Sequence, residues 1–329
     1  MIVLMGLPRS GTTWLGKIFD SHPDTFYSHE PDTARPFPGL PLLIPKDSAE
    51  RYRAAVVDHV ARMGKLRTIR VAGKLPLFPK SYAPRLPDWM SRQSLVLLKG
   101  LSRLLGEISV PAAISGSPER APYWVWKSIE STGRLGAIAR IFPGSRTIFI
   151  VRHPCGVAAS LLRGEEATKF SDGPASEDYG FFELLSQTDQ ARSRGLTVER
   201  FRGMSRLERV AWRWALLNEK ALDDLEGLPN CRVLRYEDLC ARPQETSRDL
   251  FAFCGLSWNE QTERFIAAST AGEDSSYYAV FKDPLTSAYK WKKQLPPDVV
   301  DAILEIAAQT EAGKLYAGAD SFESAPRPA

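Results

Sequence analysis

Apolar positions along this chain follow two alternating periods. Short apolar runs of strand length fall at residues 2–5, 25–27, 123–127, 147–151 and 232–239, and the stretches between them carry apolar residues at helical spacing. The helical pattern appears at Trp14, Leu15, Ile18 and Phe19, over 49–63, 89–108, 132–142 and 181–191, at Val210, Trp214 and Leu217 within 205–225, and from Pro243 to a Cys254-Gly255 stop. Such alternation predicts an α/β fold, a central parallel sheet with helices on both faces. Prolines crowd residues 36–45 and 73–87. Residues 36–122 therefore read as a helical insertion within one domain of residues 1–329, and 317–329 as a flexible tail. No internal repeat is visible.

Composition narrows the class without naming a chemistry. At 329 residues, 43% hydrophobic and 25% charged, the chain has enough apolar residues for a full core. Its formal net charge of +4 is spread along the sequence; it gives no nucleic-acid signature but favours an anionic ligand. Cys155, Cys231, Cys240 and Cys254 form no C-x-x-C pair and no metal spacing with the four histidines, so neither a zinc site nor a disulfide framework is expected, and a reducing compartment is. The chain begins inside its first strand, and no run of about 18 apolar residues follows. The helix over 89–108 carries Leu95, Val96, Leu97, Leu98, Leu101, Leu104 and Leu105 beside Arg92, Lys99 and Arg103. Core packing is the expectation for it, with a membrane interface or lipid pocket as the alternative.

The chemistry lies at strand ends. Gly6 and Gly11 bracket a loop between the first strand and the first helix, where converging backbone N–H groups and the helix N-terminus bind an anion. A nucleoside triphosphate loop needs a Lys after its second Gly; here that position is Thr12, and the loop's one cation is Arg9. Ser10, Gly11, Thr12 and Thr13 suit a single terminal phosphate better than a triphosphate with magnesium. A second anchor is Arg152, at the end of the strand over 147–151, with Pro154 placed to start a helix and Ser160 about two turns into it. A kinase would want an aspartate at such a strand end to hold Mg²⁺.

The loop Gly6-Leu-Pro-Arg-Ser-Gly-Thr-Thr-Trp14-Leu15 resembles the 5′-phosphosulfate loop of sulfotransferases that use 3′-phosphoadenosine-5′-phosphosulfate (PAPS), and Arg152 with Ser160 resembles their 3′-phosphate motif. Arg235-Tyr236-Glu237-Asp238-Leu239, followed by Phe253-Cys254-Gly255-Leu256, and the late segment Tyr289-Lys290-Trp291-Lys292-Lys293 match further pieces of that pattern in family order. The resemblance covers residues 2–34 and 123–310 and is nearest in pattern to the tyrosylprotein, carbohydrate and bacterial members.

It implies PAPS as donor and PAP as product, without a metal, and in-line transfer of a sulfuryl group to a hydroxyl or amine of a small-molecule, carbohydrate or lipid acceptor. It further implies Tyr236 and Trp14 near the adenine, Lys290 (or Lys292 or Lys293) on the 3′-phosphate, and Arg9 with Lys127 at the transferred group. Cytosolic members place a histidine base two residues after the strand-end lysine; here that residue is Ile129. Glu30, 21 residues after Arg9 as in the tyrosylprotein pattern, becomes the candidate base, with His29, Asp32 and the acidic loop at Glu165-Glu166 in reserve. Glu30 as a turn cap and Lys127 as a surface lysine are the plain alternatives. Residues 36–122 then shape the acceptor site, where Phe78, Tyr82, Trp89, Tyr123, Trp124 and Trp126 suit a sugar, a phenol or a lipid head group. Members of the animal Golgi carry an N-terminal membrane anchor; this chain looks like a soluble cytoplasmic form, with peripheral membrane contact open and no nucleic-acid partner. A P-loop small-molecule kinase and a non-catalytic PAP-binding protein are the competing functions.

Overall fold

The continuous apolar runs form strands buried on both faces, as parallel sheets require. In a computed structural model, which describes residues 1–83, 88–111, 114, 119–166, 174–271 and 283–317, five strands make one sheet: β1 (Ile2–Met5), β2 (Thr25–His29), β3 (Tyr123–Ser128), β4 (Arg146–Val151) and β5 (Cys231–Arg235). All neighbours are parallel, in the order β2-β3-β1-β4-β5. This is the expected central parallel sheet with helices around it. Every residue of β1 and β2 is buried, whereas Arg232 and Val233 of the edge strand β5 are exposed. Because β1 lies in the middle, the loop leaving it sits where the chain has turned to opposite sides of the sheet, the place open α/β sheets bind ligands.

The helices are α1 (Thr12–Asp20), α2 (Pro31–Ala34), α3 (Arg53–Lys65), α4 (Ile69–Ala72), α5 (Asp88–Leu105), and further ones from Leu135–Ile141 to Glu311–Lys314. Several depart from the sequence expectation for visible reasons. The strand expected over 232–239 stops at Arg235, and Tyr236–Ala241 is helical, with Glu237 and Asp238 in a first turn that favours acidic residues. The helix expected over 181–191 breaks in two because Asp178 and Thr188 each cap a new N-terminus. Ser205 and Glu208 form a full capping box on Arg206–Leu225.

Contacts divide the chain into two compact units, residues 1–151 with 227–287, and residues 152–226 with 288–329. The first holds the sheet and residues 36–122. There α3 packs on helix Leu135–Ile141, and α4 packs on β2. On α5, Val96, Leu97 and Leu104 are exposed, which corrects the expectation of core packing. The side chains of Trp89, Arg92, Leu95, Arg103 and Leu105 lie outside the described residues. In the second unit Glu165 and Glu166, expected in an acidic loop, close the helix Pro154–Glu166. Glu165 is buried, accepts hydrogen bonds from Ser176 and pairs with Arg206 at 2.6 Å; residues 167–173, the Glu166 side chain and residues 318–329 of the expected tail are outside the description. Among the described residues no helix is long and apolar enough to cross a membrane, and all four cysteines are free thiols.

Three histidines are built into unit 1 as neutral groups. Burial lowers the pKa of His22, His29 and His59 below the ordinary value of 6.5, with His59 brought to about 4. Below pH 6.5 the unfolded chain takes up protons that the folded chain refuses, so this stability is complete above that value and is lost as the pH falls. For His59 alone the loss between pH 6.5 and 5 is on the order of 2 kcal/mol. The thermal midpoint is therefore expected to be lower at pH 5 than at pH 7.5, and the His59→Asn variant to show a shallower dependence. Identical slopes in the two proteins by calorimetry would contradict this account of His59.

Candidate active site

β1 runs directly into the phosphate-type loop. Gly11 caps α1 with a left-handed backbone, φ +89°, and a Cβ there would fall 2.3 Å from Cδ2 of Tyr236, so only glycine lets the Tyr236 ring close on the loop. Ser10 N–H donates to Leu7 O at 3.1 Å, and the first bond of α1 runs from Leu15 N–H to Gly11 O. The amides of Thr12, Thr13 and Trp14 thus precede any acceptor within the helix. Ser10 is fully buried, and its Oγ lacks a hydrogen-bond partner among the described residues. A hydroxyl left so costs roughly 1–3 kcal/mol, which an anion seated in the loop offsets. The sequence-predicted set Arg9, Ser10, Gly11, Thr12 and Thr13 fits a terminal phosphate. Trp14 is buried, and its indole N–H donates to Ser269 Oγ at 3.1 Å, so it takes part in packing α1 on helix Glu260–Thr270.

Glu30 and Lys127 meet at the ends of neighbouring strands. His29 of β2 pairs in register with Lys127 of β3, and Glu30 follows at once with a left-handed backbone, φ +48° and ψ +52°. Its N–H donates to Lys127 O at 2.8 Å, and Lys127 Nζ donates to its Oε1. The Lys127 side chain is 1% exposed and that of Glu30 18%. Burial lowers the Lys127 pKa, and the Glu30 carboxylate works against that shift. Lys127 is accordingly no surface lysine. Arg9, φ +72°, and Glu30 are the two non-glycine residues with positive φ among the described residues; a left-handed backbone at such residues costs roughly 1–3 kcal/mol and collects at functional sites.

Of the reserve candidates, Asp32 and Glu165 are committed elsewhere, and His29 is a buried neighbour of Glu30. His29 Nε2 stands 4.0 Å from Glu30 Oε1, and its Nδ1 shares a 2.9 Å hydrogen bond with Tyr27 OH. Burial first, then the charges of Lys127, Lys74, Lys17 and Arg70, hold its pKa well below the usual range. Asp32 Oδ2 accepts from Ser128 Oγ at 2.5 Å and Ser131 Oγ at 2.6 Å, and Arg134 links Ser131 to the carbonyls of Leu40 and Pro41. Asp32 therefore fixes the backbone beyond β3. Glu165 is spent on Arg206.

Sequence reasoning missed a buried cluster behind this site. Lys17 Nζ donates to Asp20 Oδ2 at 2.5 Å and to the carbonyls of Lys74 at 2.6 Å and Pro76 at 2.8 Å. Lys80 Nζ also donates to Asp20, both to Oδ1 at 3.0 Å and to the backbone carbonyl. Burial would raise the Asp20 pKa, but the two lysines hold it below its ordinary value. The i, i+3 pair in α1 was visible in sequence; nothing local marked Lys80 as its third member.

The second unit carries the other anchor. Ser160 is buried on helix Pro154–Glu166, and the Arg152 carbonyl accepts from Trp214 Nε1 at 3.0 Å. A Cβ at Gly156 would lie 3.0 Å from Arg152 Nε and 3.4 Å from Trp291 Cδ1, so the glycine makes room for both side chains. Trp291 stacks on His153 with ring centroids 4.4 Å apart. This packing brings the late lysine segment, a 3₁₀ turn over Lys290–Lys293, to Arg152. Lys290 is exposed, and Lys292 lies over the Tyr289 and Trp291 rings. Among the described residues no group of three or more His, Cys, Asp or Glu is disposed to hold a metal ion.

Comparison with known proteins bears on these pieces together. A family model described as "Sulfotransferase family" matches residues 2–260. Carbohydrate sulfotransferase 1 of Danio rerio is 23% identical over 327 residues, covering 91% of this chain and 74% of that protein. Among solved structures, the sulfotransferase domain from the curacin biosynthetic pathway aligns over 94% of this chain and 96% of its own, at 17% identity and a TM-score of 0.43. A mouse sulfotransferase complexed with PAP aligns over 96% and 88%, at 14% identity and a TM-score of 0.41. The family model runs through the phosphate loop, Glu30, Lys127 and the Arg152-to-Ser160 segment alike, and the chain belongs to the sulfotransferase family.

Proposed function

We propose that this sulfotransferase takes PAPS as donor and passes the sulfuryl group to a hydroxyl of a small-molecule or carbohydrate acceptor, with Glu30 as base. When bound, PAPS supplies the sulfuryl group and leaves as PAP. The observation that carries the reading is the left-handed backbone at Arg9 and Glu30, the two non-glycine residues with positive φ among the described residues, one in the anion loop and one against a buried ammonium. Arg9 and the first amides of α1 neutralise negative charge in the loop. Glu30 takes the proton from the acceptor hydroxyl. Protonating Glu30 also removes the negative partner of Lys127, which leaves a buried ammonium able to stabilise negative charge at the transferred group. Arg152, Ser160 and one of Lys290, Lys292 and Lys293 take the 3′-phosphate, and Tyr236 stands by the base. A kinase reading is weaker because Thr12 occupies the place of the phosphate-loop lysine.

Two experiments test the parts separately. Glu30→Gln is expected to keep PAP affinity and lower turnover roughly 10²–10⁴-fold, the usual contribution of a positioned base. Retention of most of the turnover would demote Glu30 to a turn residue and move attention to His29, its neutral neighbour.

For the 3′-phosphate, PAP is expected to bind about 100-fold or more tightly than AMP in calorimetry, since each charge-assisted hydrogen bond contributes roughly 1.5–3 kcal/mol. Gly156→Ala, whose Cβ would crowd Arg152 Nε at 3.0 Å, is expected to reduce that preference severalfold, with PAP and AMP affinities measured in the folded variant so that any change in melting temperature is read separately. Equal PAP and AMP affinities in the unaltered protein would defeat the assignment of Arg152.

A further inference from the structure

We infer that α5 docks this protein on an anionic lipid surface, with a stripe of Met90, Leu97, Leu101 and Leu104 lying in the bilayer interface.

The stripe follows from helical geometry. α5 runs from Asp88 to Leu105, and residues 90, 97, 101 and 104 are spaced by seven, four and three, which sets them on one face. All four are exposed, Leu97 at 66% and Leu104 at 83%, and Val96 at the edge of the stripe is exposed at 61%. Leu98, on the other side of the helix, is half-buried. The stripe is about 21 Å long at the usual helical rise. Single apolar residues on a surface are ordinary, but a contiguous run of them marks an interaction site.

Charge decides what that stripe meets. Contrary to the even spread expected from composition, the positive charge of the chain is concentrated around this helix. Between Gly64 and Gly106 there are nine Lys or Arg and one acidic residue, Asp88, a net of +8 in a chain whose total is +4. Lys80 is committed to Asp20, but Lys65 and Arg70 are exposed and Arg67 is half-buried. Backbone bonds hold this basic segment at the end of α5: Ile69 N–H donates to Ile108 O at 2.9 Å, and Val110 N–H donates to Arg67 O at 2.7 Å. On α5 itself Arg92, Lys99 and Arg103 recur at spacings of seven and four, on the row opposite the stripe. Glu107, just past its C-terminus, is paired with Arg35 at 2.9 Å.

An apolar stripe backed by cations suits a helix that lies in a membrane interface. No described helix is long and apolar enough to cross a membrane, so α5 lies on the bilayer and does not span it. A helix is about 10–12 Å across, so the cations of the far row stand within one or two screening lengths of a surface beneath the stripe, and they feel an anionic one most strongly at low salt. A second copy of the chain fits less well, because pairing the stripe with itself sets one basic segment against another. An anionic lipid surface offers an apolar layer to the leucines and the opposite charge to the cations.

Flotation of the full chain with vesicles tests this, using phosphatidylcholine alone and phosphatidylcholine mixed with an equal part of phosphatidylglycerol. At low ionic strength the protein is expected to bind the anionic vesicles at least about tenfold more tightly than the neutral ones, and the difference to shrink as salt is raised. Leu97→Gln/Leu104→Gln replaces two exposed leucines by a residue that also favours a helix. It is expected to weaken binding to the anionic vesicles at least about tenfold, with PAP affinity and melting temperature unchanged. Should the double variant fail to fold, Leu104→Gln alone reads the same effect at the most exposed position. Lys65→Gln/Arg70→Gln is expected to reduce the preference for anionic vesicles severalfold. Failure of the unaltered protein to bind either vesicle would overturn the inference, as would full binding by the leucine variants, which would make the attraction one of charge alone. A dimer in analytical ultracentrifugation that the leucine exchange dissociates would give the stripe to a second copy and overturn it equally.

Discussion

A carboxylate and an ammonium that are both withdrawn from water are tolerable only together. Glu30 and Lys127 meet that constraint across two neighbouring parallel strands, through the side-chain contact and through the Glu30 N–H on the Lys127 carbonyl. The pair dictates much of what surrounds it. Glu30 reaches Lys127 from a left-handed backbone, so the chain leaving β2 turns sharply into α2, and Asp32 lands against Ser128 and Ser131 beyond β3. His29, between Tyr27 and this pair, is kept neutral by burial and by the surrounding cations. A charge introduced or removed at any of these positions disturbs the others, because all are largely withdrawn from bulk water.

The same logic couples residues 74–80 to the phosphate-type loop. Lys17 belongs to α1, the helix that follows the phosphate-type loop, and its ammonium is held by the carbonyls of Lys74 and Pro76 and by Asp20, which Lys80 also grips. Residues 74–80 are tied in this way to the helix that forms the phosphate loop. A segment with few regular hydrogen bonds of its own is held here because the buried Lys17 takes two of its carbonyls as solvent and its own Lys80 reaches back to Asp20 and the His22 carbonyl. Residues 74–80 and the helix that follows the phosphate-type loop accordingly share one set of buried charges.

How much of this was legible in the sequence depended on whether the signal was local. The five strands were readable as apolar runs because a parallel sheet buries both faces, and the loop was readable because Gly6, Gly11 and the hydroxyl pair lie within eight residues. The strand end at Arg235 was missed because Tyr236 and Leu239 continue the apolar pattern, while the acidic residues between them serve a helix start. The exposed leucines of α5 were missed for the opposite reason: an apolar helical stripe records the capacity to be buried and does not say against what. Lys80 on Asp20, Glu165 on Arg206, and Gly156 beneath Arg152 are pairings across dozens of residues or through the absence of a side chain, and single-sequence periodicity carries no trace of them.

The two strained residues show where local and global preferences part. Arginine and glutamate have no intrinsic reason to adopt φ of +72° and +48°, and glycine or asparagine would fit either turn with less strain. A guanidinium in the anion loop and a carboxylate on a buried lysine are what those backbones deliver, and neither glycine nor asparagine supplies them. At both positions the chain gives up local conformational ease for a charge held in place, and the sheet supplies the rigidity that keeps it there.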